Sequence, residues 1–127
     1  MIFQETAQPV EVQSVHKIYR RKTGEIVKAL DEVSFTAQHN TLTALVGPDG
    51  GGKTTLLRMI AGLVAADGGT VRVLGINASD DPQLVQERIG YMPQKFGLYE
   101  DLTVQQNLDL YADLHGISME ARLEIYP

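Results

Sequence analysis

The 127-residue chain has no cysteine and no tryptophan. Without thiols there is no disulfide framework, no thiolate metal site and no cysteine nucleophile. A positive charge excess is also missing: the formal net charge is −5, which argues against the broad basic footprint that nucleic acid requires. The one basic cluster, Lys17, Arg20, Arg21 and Lys22, reads as a solvated loop edge. There is no long apolar run. The most apolar stretch, residues 56–66, is too short to span a bilayer and contains Arg58. The start, Met1-Ile2-Phe3-Gln4-Glu5, carries no basic segment followed by an apolar one, so no secretory signal is visible. Any membrane role is therefore expected to come through a partner. What is present is enough for one domain at most: 43% hydrophobic residues in a length that can bury roughly two-thirds of its unfolded surface.

The most informative string is Gly47-Pro48-Asp49-Gly50-Gly51-Gly52-Lys53-Thr54, which fits G-x-x-x-x-G-K-[ST]. Glycines let successive backbone N–H groups turn inward around an anion, where side chains would block the approach. Lys53 then reaches the outer phosphates as a point charge, and the Thr54 hydroxyl is placed to ligate Mg²⁺. The flanks agree with this reading. Residues 41–46 predict a short buried strand, and residues 55–62 a helix, with Leu56, Met59, Ile60 and Leu63 at helical spacing. Strand, loop and helix in that order set the phosphates on the positive end of the helix dipole. The expected ligand is a nucleoside triphosphate with Mg²⁺.

Around the loop, residues 10–15 alternate apolar and polar, the period of a half-exposed strand. After a turn at Lys22-Thr23-Gly24, residues 26–30 and 33–37 continue in that manner, and Asn40 occupies a turn where a left-handed backbone is tolerated. Residues 66–69 predict a turn and 70–74 a strand. Asp81-Pro82 predicts the cap and first residue of a helix over 82–88, followed by a strand over 89–92. Thr103 and Gln106 form an S/T-x-x-Q capping box. Beyond it Val104, Leu108, Tyr111 and Leu114 share a helical face, Gly116 ends the helix, and Ser118 caps another.

Three elements in this order resemble the ATP-binding subunits of ABC transporters: Tyr19 in Lys17-Ile18-Tyr19-Arg20, the loop running on as residues 55–63, and Ile89-Gly90-Tyr91-Met92-Pro93-Gln94. Residues 99–108 are similar to exporters of the ABC-2 or multidrug type. The resemblance implies an α/β P-loop NTPase fold of the ABC nucleotide-binding type: an N-terminal antiparallel β-subdomain plus part of a parallel-sheet core, truncated. It divides residues 1–127 into a β-subdomain and P-loop core over about 1–92, and a Q-loop with the start of a helical subdomain over about 93–127. It implies that Tyr19 stacks on adenine, that Gly47, Pro48, Asp49, Gly50, Gly51, Gly52, Lys53, Thr54 and Thr55 hold the ATP phosphates, and that Thr54 and Gln94 meet Mg²⁺. The implied partners are a membrane-spanning subunit or domain, met through the Q-loop region, and a second ATPase subunit, with no nucleic acid. The implied location is cytoplasmic, at the inner face of the plasma membrane. Gly51 departs from the family, which usually has Ala or Ser there, and Asn40 replaces a common Gly.

Other family motifs have no counterpart in these residues. There is no LSGGQ-like signature and no aliphatic run ending in Asp-Glu, and His16, His39 and His115 stand outside the switch-histidine context. No catalytic residue is assigned. The expected behaviour is nucleotide binding without hydrolysis by this polypeptide alone, and marginal folding if the core strands lack neighbours. The alternatives are a soluble ABC ATPase without a transport role, a small P-loop kinase or GTPase, and a non-catalytic remnant.

Overall fold

A computed structural model describes residues 7–95 and 97–126, so the reading of Met1 to Glu5 lies outside the described residues. The chain forms two compact units, Met1–Tyr91 and Met92–Pro127.

The first unit is built on a four-stranded sheet of order β2-β1-β3-β4, with every pairing antiparallel. Strand β1 (Val10–Arg20) begins with the expected alternation, then changes phase. Ser14 takes a left-handed backbone (φ 46), and its N–H is satisfied by Ser34 Oγ at 2.8 Å. This bulge turns Val15 inward beside Val12, so both are buried where strict alternation would bury position 14. The turn over residues 21–25 closes through Gly24, whose φ of 85 is costless for glycine. Strand β2 (Ile26–Ala37) joins the two segments expected separately, with left-handed Glu32 at the seam.

Strand β3 (Gly68–Val73) starts two residues earlier than expected. Gly68 and Gly69, expected in a turn, lie in the strand instead, Gly68 opposite His16 and Gly69 at the register shift of the β1 bulge. A Cβ on Gly68 would lie 2.0 Å from the His16 ring, and one on Gly69 would lie 2.3 Å from the Ser14 carbonyl oxygen. These glycines let β3 close on the β1 bulge. Leu74 and Gly75, both at positive φ (51 and 80), make a tight hairpin into β4 (Ile76–Asn77).

Helix α1 (Lys53–Ile60) turns Leu56 and Met59 onto this sheet. They complete a core with Val12, Val15, Leu30, Val71, Val73, Ala78 and Val85. Helix α2 (Pro82–Gln86) is capped as expected, Asp81 Oδ1 accepting from Leu84 N at 3.1 Å, but ends earlier than predicted.

Two expected strands are absent from the described residues: 41–46 and 89–92 run as coil. Leu42 is 99% exposed and Val46 87%. Sequences of that kind become strands when neighbours pair both edges and cover both faces; the sheet's own four strands do not extend beside them.

In the second unit, α3 (Val104–Leu114) carries the predicted capping box. Thr103 Oγ1 accepts from Gln106 N at 3.2 Å, and Gln106 Oε1 accepts from Thr103 N at 2.9 Å. The stripe Val104, Leu108, Tyr111 and Leu114 is largely open, Val104 being 80% exposed. The buried residues are Asn107 and Ala112. Ser118 caps α4 (Met119–Ile125) as predicted. Arg122 lies buried with its Nε donating to Ile117 O at 2.9 Å and its guanidinium paired with Asp113.

Candidate functional site

The loop of residues 47–52 takes its shape from the helix it opens into. Gly52, at φ 81, is the cap residue of α1 and contributes no side-chain bond. The first helical bond runs from Leu56 N to Gly52 O at 2.9 Å. The amides of Lys53, Thr54 and Thr55 therefore have no partner inside the helix, and they stand at the positive end of its dipole. Upstream, Gly51 N donates to Pro48 O at 3.1 Å, folding the loop back, and Gly50 is left-handed at φ 76.

Lys53 closes the arrangement. Its Nζ donates to Gly47 O at 2.8 Å and to Pro48 O at 2.6 Å, holding the ammonium across the mouth of the loop by neutral oxygens. Among the described residues no carboxylate is paired with it. Unpaired helix amides, inward glycines and a fixed cation together make a receptor for an oxyanion such as a phosphate chain.

The loop is also clasped from behind. A Cβ on Gly52 would fall 2.2 Å from the Ala29 carbonyl oxygen and 2.8 Å from Leu30 Cδ2. Glycine at this place therefore allows both the left-handed turn and direct contact with β2. Gly51 is less constrained, since a Cβ would meet Pro48 O at 3.0 Å. Asp49 is exposed.

Tyr19 stands near the end of β1, opposite Val27 of β2, and Lys17 stands opposite Leu30. The strand that supports Gly52 is thus the immediate neighbour of the one that carries Tyr19. The Tyr19 residue is 40% exposed, and Lys17 Nζ lies 5.6 Å from its ring centroid. Lys17 donates to Asp67 Oδ1 at 2.8 Å, and the backbone N–H of Ile18 donates to Asp67 Oδ2 at 2.7 Å. These two bonds, the lysine's first, hold the Asp67 carboxyl below the usual carboxylate range. Arg21 of the same basic cluster is paired with Glu25 at 2.8 Å.

The structure brings together residues 47–55 in one loop and helix turn, with Tyr19 one strand away from their support. Gln94 belongs to the second unit, where it is exposed. Among the described residues no group of three or more acidic, His or Cys side chains could hold a metal. Thr54 brings a hydroxyl to the first turn of α1 beside the loop, a hard oxygen donor of the kind magnesium takes, and the other ligands of such an ion would have to come from a bound molecule or water. Sequence reasoning missed Asp67 and the Ala29–Leu30 backing of Gly52. It placed Lys17 in a basic edge and in the string around Tyr19 without giving it a role, although a cation two residues from Tyr19 on a strand is a legible signal.

In the second unit, a groove of about 380 Å³ opens along α3, lined by Leu98, Tyr99, Leu102, Val104, Leu108 and Tyr111 among others. None of the helices among the described residues is long and apolar enough to cross a membrane.

Known proteins are similar to this chain in sequence and in fold. The family model described as ABC transporter matches residues 30–126. The chain is 44% identical over 115 residues to the probable multidrug ABC transporter ATP-binding protein YbhF of Escherichia coli, covering 91% of this chain and 20% of that one. It is 46% identical over 100 residues to the sulfate/thiosulfate import ATP-binding protein CysA of Ralstonia nicotianae, covering 78% of this chain and 25% of that protein. Among solved structures, a dimeric ATP-binding cassette in a post-hydrolysis state, bound to ADP and Pi, superposes with a TM-score of 0.75 at 28% identity. That match covers 89% of this chain and 52% of the other. The chain thus spans about a fifth to a quarter of the two curated relatives' lengths.

Proposed function

This chain belongs to the ABC transporter family, and we propose that it binds ATP as the N-terminal, phosphate-holding part of a transporter's ATPase subunit. The observation that carries the reading is the Lys53 ammonium, bridged to Gly47 O and Pro48 O above the unpaired amides that open α1. Those groups hold and orient a phosphate chain. The helix dipole and the lysine offset its charge, while the glycines allow it to approach the backbone. Thr54 would offer its hydroxyl to the magnesium that accompanies the nucleotide. Tyr19 takes the adenine, by stacking that tolerates any base. ATP·Mg²⁺ supplies the reactive phosphoanhydride; these residues bind and position it.

The domain division at about residues 92 and 93 is part of the same proposal: a β-subdomain and P-loop core, then a Q-loop and the start of a helical subdomain. The partners are a second ATPase subunit and a membrane-spanning subunit, which place the protein at the cytoplasmic face of the plasma membrane. The apolar groove along α3 supports the membrane-subunit contact, since it presents exposed aliphatic and aromatic side chains such as Leu98, Tyr99 and Val104.

The direction of transport is proposed as export, on the likeness of residues 99–108 to exporters of the multidrug type; the match to YbhF, named a probable multidrug transporter protein, covers 91% of the chain. Import is the second reading, favoured by the 46% identity to CysA. Solute accumulation by cells making the complete transporter separates the two: export lowers it and import raises it.

The test of binding is isothermal titration of the folded chain with ATP·Mg²⁺ beside Lys53→Ala. The unsubstituted chain titrates at micromolar to millimolar ATP, and Lys53→Ala shows no saturable heat. Absence of binding by the unsubstituted chain at millimolar ATP would reject the proposal.

A further inference from the structure

We infer that Lys17, fixed by Asp67, is a positioning residue that sets the Tyr19 ring as the platform for the adenine; the inference rests on the nucleotide-binding reading above. The two residues are separated by one position on β1, the spacing that puts side chains on one face of a strand, and they meet there despite the register shift beside Lys17. The ammonium lies 5.6 Å from the ring centroid, within the range where a cation is drawn to the electron-rich face of an aromatic ring.

What makes this more than a chance approach is how firmly the ammonium is held. Lys17 Nζ donates to Asp67 Oδ1 at 2.8 Å. The other oxygen of that carboxylate accepts from Ile18 N at 2.7 Å, and Asp67 N donates to His16 O at 3.0 Å. Asp67 is thus bonded to residues 16, 17 and 18 of the strand that carries Tyr19. The side chain of Lys17 is only 15% exposed, whereas the Tyr19 residue keeps 40% of its surface open. The cation is withdrawn and the ring is presented.

The ion pair acts on the ring in two ways. A cation against one face draws π-density toward itself, which reduces the face-to-face repulsion that a stacked base meets on the other face. It also restricts the rotamers of the ring, so less freedom is lost when a base settles on it. The placement agrees with the rest of the site. Lys17 pairs with Leu30, the residue against which Gly52 of the loop is packed.

A β1–β3 staple with no role in base binding would use the same ion pair, and the experiment separates the two. ATP and inorganic tripolyphosphate are titrated into the 127-residue chain and into Lys17→Met, Lys17→Arg, Tyr19→Ala and the Lys17→Met/Tyr19→Ala double variant. The expected result is that Lys17→Met weakens ATP about threefold to tenfold and leaves tripolyphosphate unchanged, while Lys17→Arg keeps ATP near its original affinity. In the Tyr19→Ala background, Lys17→Met costs ATP nothing further. Equal weakening of both ligands by Lys17→Met overturns the inference, as does a full Lys17→Met effect in the absence of the Tyr19 ring. If the unsubstituted chain binds ATP no better than tripolyphosphate, the phosphate cradle stands and only the positioning of adenine fails. If it binds neither, the nucleotide reading falls and this inference with it.

Discussion

Asn107 and Tyr99 exchange two hydrogen bonds: Tyr99 N donates to Asn107 Oδ1 at 2.9 Å, and Asn107 Nδ2 donates to Tyr99 O at 3.1 Å. The same Nδ2 also lies 3.2 Å from Leu102 O and 3.0 Å from Thr103 O. One buried amide on α3 therefore gathers the preceding turn onto the start of its own helix.

Asn107→Ala is expected to destabilise the second unit by about 1–3 kcal/mol, the penalty for leaving buried polar partners unmet. Asn107→Asp should be worse at neutral pH, because a carboxylate would face three carbonyl oxygens with no proton to offer. Amide hydrogen exchange at Tyr99 and along α3 reads this out. Unchanged protection in both variants would show that the turn is held by something else.

Gly52 and Gly50 share a left-handed backbone but differ in surroundings, and their alanine variants should differ accordingly. At Gly50 nothing lies within 4 Å of a new Cβ, so Gly50→Ala should cost about 1 kcal/mol of backbone strain. At Gly52 the Cβ meets the Ala29 carbonyl as well, and the loss should reach about 3 kcal/mol with nucleotide binding abolished. Denaturant midpoints for the two variants, measured side by side, decide it; equal costs would contradict the clasp between loop and β2.

Asp67 gives a pH signature. Its carboxyl is held below the ordinary range by Lys17 first and Ile18 N second, so ionisation is easier in the folded chain than in the unfolded one. The stability this confers is complete above the unfolded value of about 3.9 and is lost as pH falls through the lower folded value. Asp67→Asn should therefore be less stable than the unsubstituted chain at pH 7, and the gap should narrow below about pH 4. Urea titrations at several pH values test this. A gap that stays constant down to the acid limb would mean that the ion pair contributes nothing specific to folding.

Residues 41–46 supply the fourth expectation. With Leu42 and Val46 in water and the segment outside the sheet, the isolated chain should associate at micromolar concentration. A Leu42→Lys/Val46→Thr double substitution should reduce light scattering. A sharp, concentration-independent melt of the unsubstituted chain would count against this.

Most of what could be read in the sequence was local. The loop glycines, Asp81-Pro82, Thr103 with Gln106, and Ser118 each specify a backbone geometry through groups within three or four residues, and each appears where the sequence places it. The phase change at Ser14 could not be read, because it is fixed by β2 and β3 lying on either side of β1. Gly68 and Gly69 look like a turn until the His16 ring and the Ser14 carbonyl are seen against them. Residues 41–46 and 89–92 have strand composition, but a strand is a property of a pair, and composition does not provide the second member. At the site, Lys53 was evident from the motif, whereas the Asp67 contact to Lys17 joins residues fifty positions apart and only the folded sheet reveals it.

The contact of Gly52 with Ala29 has a mechanical consequence. Downstream, the loop is bolted to a helix and, through that glycine, to the spine of β2; upstream, it trails into coil. Gly47 and Pro48, on the trailing side, are drawn back across the loop by the Lys53 ammonium and by the bond from Gly51 N to Pro48 O, so the coil side takes its anchorage from the helix side.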